Sequence, residues 1–274
     1  MPATDLATLA QVSSWIPNVP TSGNDNALLS SLITSASQAI LSDIQRQTVL
    51  SQTYTEVYNG YGEVSKMLRK WPTTSVASVT IGRCVVPVRP AGQFYGCGYT
   101  FEAWDGELPG KPQLINVLGY EFCCGIQNIQ IVYTAGYFVS NEAWVVPVGG
   151  GTVTAAQLNG PWAKDGGVTY ASSGIALTLV TGAPNTGQYS VALGIYTFAL
   201  GDAGAALLGN YSYIPAPLNQ ACMEMVGEAY RYRNRIGERS HTTPGPQTTA
   251  YDLSRMTAAI KMMINPFRMV VPLI

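Results

Sequence analysis

Leu218-Asn-Gln-Ala-Cys-Met-Glu-Met-Val-Gly-Glu-Ala-Tyr-Arg-Tyr-Arg-Asn-Arg-Ile-Gly-Glu-Arg239, preceded by the breakers Pro215 and Pro217, is the stretch on which the fold turns. Leu218, Cys222, Met225, Ala229, Tyr232 and Ile236 recur at spacings of three and four, the signature of one buried helix face. Glu224, Glu228, Arg231 and Arg235 fall on another face, where Glu228 and Arg231 can pair weakly. Gly237 and Ser240 suit the helix exit, and Thr243-Pro-Gly-Pro-Gln247 cannot be helical. A second short stripe follows at Leu253, Met256, Ile260 and Met263 and ends at Asn265-Pro266. The last residues, Phe267 to Ile274, are apolar with one charge, and such a strip is expected to be covered by something else.

Working back toward the N-terminus, Thr4 to Ile16 reads as a short helix capped by Thr4 or Asp5 and stopped by Pro17 and Pro20. A longer helix starts at Asn24-Asp25 and runs to about Arg46, with Leu29, Leu32, Ile33, Ala36, Ile40 and Ile44 as its buried stripe. The period then changes. Tyr54 to Gly62 reads as a strand entering a hairpin at Asn59-Gly60, with Lys66 to Pro72 as its partner. Ser75 to Ile81 and Ile126 to Tyr133 are further strands, and Asp105-Gly106 suggests another hairpin. Residues 145–213 have their own grammar: Gly149-Gly-Gly151 marks entry, and the only charges are Lys164, Asp165 and Asp202. Strands are expected at Gly167–Ala171, Ile175–Thr181, Gln188–Val191, Ile195–Phe198 and Ala205–Tyr213, which reads as a small sandwich or barrel. The fold expected is α+β. A helical core from both chain ends carries a small antiparallel β region (1–144 and 214–274) and an inserted all-β, sandwich-like domain (145–213).

Composition narrows the function. The 274 residues are 47% hydrophobic and 11% charged, with a net charge of −1. That balance suits extensive burial against other subunits and argues against an electrostatic nucleic-acid binder. Seven basic residues nevertheless gather in the final segment: Arg231, Arg233, Arg235, Arg239, Arg255, Lys261 and Arg268. A solvated or salt-bridged helix face is the ordinary account of such a run. Five cysteines form no Cys-x-x-Cys pair and follow no secretory signal, so reduced, mostly buried thiols made in a cytosol are expected. No run reaches the ~20 apolar residues of a membrane-spanning helix.

Catalytic constellations are lacking. The one histidine, His241, lies in a Ser-His-Thr-Thr-Pro-Gly stretch with no Gly-x-Ser-x-Gly elbow to supply a nucleophile. No metal-ligand spacing, P-loop or dinucleotide fingerprint is present, and Glu102, Asp105 and Glu107 cluster around an expected turn. The chain is therefore expected to be no enzyme and to carry no cofactor or metal. Sixteen tyrosines fit either interface anchoring or simple β preference.

Three pieces in this order resemble the head–tail connector (adaptor, head-completion) proteins of tailed bacteriophages. The first is Asp5-Leu-Ala-Thr-Leu with the helix from Asn24. The second is Tyr54-Thr-Glu-Val-Tyr-Asn-Gly, then Leu68-Arg-Lys-Trp-Pro-Thr-Thr-Ser-Val-Ala-Ser-Val-Thr and Ile131-Val-Tyr-Thr-Ala-Gly-Tyr. The third runs from Pro217 through Arg235-Ile-Gly-Glu-Arg-Ser to Asn265-Pro-Phe-Arg268. Together they cover most of the chain outside residues 145–213, a segment that small members of the family lack. The resemblance implies a structural virion protein, made in the host bacterial cytoplasm and located at the head–tail interface of the virion as a ring, commonly dodecameric, beneath the portal. It would extend the DNA channel and present a surface to the next tail or head-completion protein. Double-stranded DNA would pass without sequence-specific contact, and no membrane would be involved. The portal-docking tail implied is Pro266, Phe267, Arg268, Met269, Val270, Val271, Pro272, Leu273 and Ile274. Arg231, Arg235 and Arg239 are expected subunit or channel contacts. A tail-terminator or decoration protein, and a carbohydrate- or host-surface-binding module using the aromatic-rich residues 94–104, remain alternatives.

Overall fold

A computed structural model describes residues 4–16, 23–90, 96–102, 114–233, 236, 240–242, 248–250 and 256–269. In chain order the elements begin with α1 (Leu9–Trp15), α2 (Gly23–Asp43), β1 (Gln52–Gly60), β2 (Ser65–Met67), β3 (Thr73–Ile81) and β4 (Cys84–Val86). Next come β5 (Gly98–Glu102), β6 (Leu114–Leu118), β7 (Gly125–Ala135), β8 (Phe138–Val145), β9 (Gly151–Thr154) and β10 (Trp162–Tyr170). The chain continues with β11 (Thr178–Leu179), β12 (Gln188–Ala192), β13 (Ile195–Phe198), β14 (Ala206–Tyr213) and α3 (Ala216–Tyr232). The last elements are β15 (Ser240–Thr242), β16 (Thr248–Ala250) and α4 (Ala258–Ile264).

The expected α+β plan, with a helical core from both chain ends and a small β region, is overturned. The chain is mostly β, 41% strand and 26% helical. Its strands form four sheets of three or four strands plus the β15–β16 pair. Long-range pairing is the physical reason. Residues expected to make local hairpins instead pair with strands distant in sequence. Two compact units result, one of residues up to Thr48, Asn159–Pro161 and Ile214–Arg268, the other of Val49–Leu158 and Trp162–Tyr213 with residues from Met269 onward.

The first unit holds the helices. Thr8, rather than Thr4 or Asp5, caps α1: its hydroxyl accepts from Gln11 N–H at 3.2 Å while Gln11 Oε1 accepts from Thr8 N–H at 2.8 Å. Asp5 is buried instead. Helix α2 buries Leu29, Ile33, Ala36 and Ile40, as its spacing predicts. On α3 the buried face starts with Leu218, Cys222 and Met225 but drifts to Val226 and Tyr230, leaving Ala229, Tyr232 and Ile236 exposed. Polar atoms stitch the seam. Leu6 N–H donates to Ser37 Oγ at 2.9 Å, Asn219 Nδ2 donates to Leu6 O at 2.8 Å, and Ser37 Oγ lies 3.5 Å from Cys222 Sγ. Helix α4 buries Ile260 and Ile264 under a Thr257 cap. Leu253 of the expected stripe lies outside the described residues.

The second unit contains two β cores. In the first, sheet β1-β7-β3-β4 and sheet β2-β6-β5 enclose Ile129, Ile131 and Tyr133 of β7 with Ile115 and Val117 of β6. The Asn59-Gly60 hairpin does not form, because β1 pairs with β7 and β2 with β6. Asn59 Oδ1 instead accepts from Gln127 N–H at 2.8 Å, and Asn128 Oδ1 from Gly60 N–H at 3.0 Å, where the ladder shifts register. Asp105-Gly106 falls outside the described residues, between the paired β5 and β6. In the second core, sheet β10-β14-β8 and sheet β11-β12-β13-β9 enclose Trp144, Tyr189, Tyr196, Phe198, Leu207 and Tyr211. Gly209 is required there, since a Cβ would sit 2.0 Å from Trp144 Cη2. Strand β13 coincides with the expected Ile195–Phe198, whereas only Thr178–Leu179 of the expected Ile175–Thr181 is strand.

Candidate interaction surfaces

Residues 138–213 carry three acids, Glu142, Asp165 and Asp202, and a single base, Lys164. All three acids turn to aromatic and peptide donors. Asp165 of β10 accepts from Tyr189 OH at 2.6 Å and Tyr196 OH at 3.0 Å, and Tyr196 OH itself accepts from Trp162 Nε1 at 3.0 Å. Glu142 of β8 accepts from Trp144 Nε1 at 2.7 Å, Tyr211 OH at 2.5 Å and Ala156 N–H at 2.9 Å. Asp202 accepts from Tyr170 OH at 2.5 Å and Gly187 N–H at 3.1 Å. Register supplies these meetings. Tyr189 and Tyr196 face one way from β12 and β13, and the Asp165/Gly167 register shift on β10 marks where that carboxylate turns to them.

Titration follows from the pairing. Burial would raise Glu142, but the hydrogen bonds from Trp144, Tyr211 and Ala156 outweigh it and hold the carboxyl below its ordinary value. The hydrogen bond to Asp202, then burial, pushes Tyr170 up to about 12. Burial, then the bond to Glu142, takes Tyr211 to about 12. Tyr189 and Tyr196 are raised as well, chiefly by burial. Each of these acids is thus occupied by two or three donors.

In the first core Glu56 plays the corresponding part. It accepts from Tyr58 OH and, at 2.7 Å, from Tyr133 OH, and burial raises both phenols. Cations lie over one of these rings: Arg69 is 4.7 Å and Lys66 5.9 Å from the Tyr58 centroid. Tyr99 is buried and donates to Val76 O at 3.2 Å, so it belongs to the core and not to an open aromatic cleft. Of the tyrosines with two possible roles, Tyr58, Tyr99, Tyr133 and Tyr211 are core residues, and Tyr61 is exposed.

The site residues expected from sequence divide sharply. Arg231 is exposed at the end of α3, 3.9 Å from Glu228. Arg235 and Arg239 lie outside the described residues, as do Val270, Val271, Pro272, Leu273 and Ile274. Pro266 is exposed, and the start of the tail is tied to its own chain: Phe267 O accepts from Arg46 Nε at 2.9 Å and Arg268 Nε donates to Asp43 O at 3.2 Å. Met269 Sδ lies 3.5 Å from Lys70 Nζ. Sequence reasoning passed over Arg233, which reaches Asp25 Oδ1 at 2.9 Å and stacks 4.4 Å from the Tyr230 ring. The i, i+3 spacing of Tyr230 and Arg233 was the available signal.

Exposed aliphatic residues lie on both β cores, Val57, Val64, Val85, Val88, Leu114, Leu118 and Ile126 on the first and Val145, Val148, Leu158, Ile175, Leu179, Leu193, Ile195 and Leu200 on the second, where few charges accompany them. Val148 is 98% and Leu158 89% exposed. Leu193 has φ 50°, a left-handed turn conformation that costs a leucine about 1 kcal/mol. The expectation of mostly buried thiols is overturned, since Cys84, Cys97, Cys123 and Cys124 are exposed and only Cys222 is buried. His241 stands opposite Thr249 in the β15–β16 pair.

Among the described residues, no group of three or more His, Cys, Asp or Glu is arranged to hold a metal. No helix there is long and apolar enough to cross a membrane. The chain matches no protein-family model and no curated protein.

Proposed function

We propose that the chain is a structural virion protein, a head–tail connector that forms a ring under the portal, extends the DNA channel and joins head to tail. The observation that carries this reading is the exterior of the second β core. Eight large aliphatic side chains are exposed where the acids have been drawn inward and Lys164 is the single base. Apolar surface with few charges is the kind of surface protein assembly covers. A ring uses two different complementary faces on each subunit. A net charge of −1 suits a channel through which DNA must move, because every phosphate contact by Lys or Arg tightens binding. The finer assignment rests on the order of the three connector-like motifs.

The partners proposed are other copies of the chain, expected as a dodecamer, the portal protein, the next tail or head-completion protein, and passing double-stranded DNA. The location proposed is the head–tail interface of the virion. The test is the mass distribution of the purified chain, with and without residues 266–274, alone and mixed with portal. Ring formation, with portal binding that disappears on truncation, is the expected result. A stable monomer indifferent to portal and truncation overturns the reading. Charge reversal at Arg231 that leaves assembly intact removes that residue from the subunit contacts.

A further inference from the structure

Four exposed thiols lie at one end of the first β core. Cys84 opens β4 opposite Ile81, the last residue of β3. Cys123 and Cys124 immediately precede Gly125, which stands opposite Gly60 at the end of β1. Cys97 leads into β5, and a Cβ on Gly119, just past β6, would fall 2.4 Å from its Sγ. A free cysteine is ordinarily among the most buried of residues, and here only Cys222 follows that rule.

The peptide beneath the adjacent pair is fixed. Phe122 is fully buried, its N–H donates to Glu63 O at 2.8 Å, and its carbonyl accepts from Gly62 N–H at 2.8 Å. Cys123 O accepts from Asn128 Nδ2 at 2.7 Å. Strand β1 runs so close that a Cβ on Gly60 would lie 1.9 Å from Cys123 O. At Gly62 the nearest atom to an added Cβ would be Cys124 Sγ, at 3.7 Å. The thiols of two consecutive residues are thus exposed on an anchored backbone, with Cys123 Sγ donating to Glu121 O at 3.5 Å.

We propose that Cys123–Cys124 is a dithiol modification site that takes small thiophilic molecules, with low-molecular-weight disulfides as the reacting class. One thiolate attacks a sulfur of the small disulfide, forming a mixed disulfide and releasing one small thiolate. The thiol of the adjoining residue loses its proton and attacks the protein sulfur of that mixed disulfide. A Cys123–Cys124 bond forms and the second small thiol leaves, so two protein thiols are oxidised and one small disulfide is reduced to two thiols. Neighbouring Cα atoms are about 3.8 Å apart, closer than disulfides prefer, so added thiol reopens the ring and the modification is reversible.

The test treats the full chain with glutathione disulfide, blocks remaining thiols and maps the peptides by mass. The peptide containing residues 123 and 124 is expected to lose two hydrogens and to recover them with dithiothreitol. Cys124→Ser should stop the reaction with one glutathione retained on Cys123, while a Cys84→Ser, Cys97→Ser double variant should behave as the natural chain. Phenylarsine oxide supplies a second measurement, because it binds a close dithiol through two S–As bonds with loss of one water. One equivalent should be retained, and lost in either Cys123→Ser or Cys124→Ser. A 123–124 peptide that stays reduced while Cys84 or Cys97 reacts, one that keeps two separate glutathiones, or no arsenical uptake overturns the proposal.

Discussion

In the first β core Glu56 accepts from Tyr58 and Tyr133 with Lys66 and Arg69 lying over the Tyr58 ring, whereas in the second Glu142, Asp165 and Asp202 accept only from phenols, an indole and peptide N–H groups. The difference is in the company each carboxylate keeps, since Glu56, Glu142 and Asp165 are half-buried and Asp202 is buried. In the first core the cations lie over a donor ring, and Lys66 pairs with Glu63 rather than with Glu56. Neutral donors supply hydrogen bonds to a charged acceptor, the stronger class, with no second ion to desolvate. In the second core Lys164 is the single cation left on the outside.

Breaking that scheme at its most connected point should have the largest effect. Asp165→Ala leaves two buried phenols without their acceptor. A loss of about 3 kcal/mol is expected, seen as a fall of roughly 10 °C in the second core's thermal transition. An unchanged transition would refute the role given to this acid.

The next effect is opposite responses to acid. Glu142 titrates below its ordinary value when folded, so its contribution is present above the unfolded value and is lost as pH falls through the folded one. Asp5 is raised by burial, against a hydrogen bond from Thr34, so its contribution is full below its unfolded value near 3.8 and is lost as pH rises through the higher folded one. Acidification should therefore weaken the second β core and strengthen the helical unit. Hydrogen exchange across the two units measures this directly. Glu142→Gln should remove the first trend and Asp5→Asn the second.

At alkaline pH the comparison can be sharpened further. Tyr170 and Tyr211, both near 12, should ionise well after free tyrosine does, and their contribution should disappear between pH 10 and about 12. Absorbance titration should show a late phenolate phase that Asp202→Asn moves earlier through Tyr170. The smallest effect expected is at Arg233. Its bond to Asp25 lies at the surface, so Arg233→Ala should leave the thermal transition of the helical unit nearly in place. A drop comparable to that of Asp165→Ala would contradict this ranking.

Much of this was legible in local spacing. The stripe of α2, the strand at Ile195–Phe198 and the apolar alternation of β7 follow from periods of 3.6 and 2. What escaped was decided at long range. Asn59-Gly60 is a strong turn signal, yet β7 offers β1 a longer ladder and the Asn59 side chain bonds Gln127 instead. The buried face of α3 drifts along its length, with Asn219 near its start bonded to Leu6 and Tyr230 near its end to Asp25, which no single period encodes. Asp165 and Asp202, almost without bases in their stretch, carried a hint that was missed: their donors had to come from the tyrosines around them.

The ring cluster of the second core also sets how the protein handles light. Tyr189 lies 5.9 Å from Tyr196, and Tyr196 lies 4.6 Å from Trp144. Excitation absorbed by either phenol therefore passes down this short relay to the indole before it can be emitted. The native core should fluoresce as tryptophan alone. Tyrosine emission, returning as the rings separate, becomes an internal optical reporter of this core that needs no label.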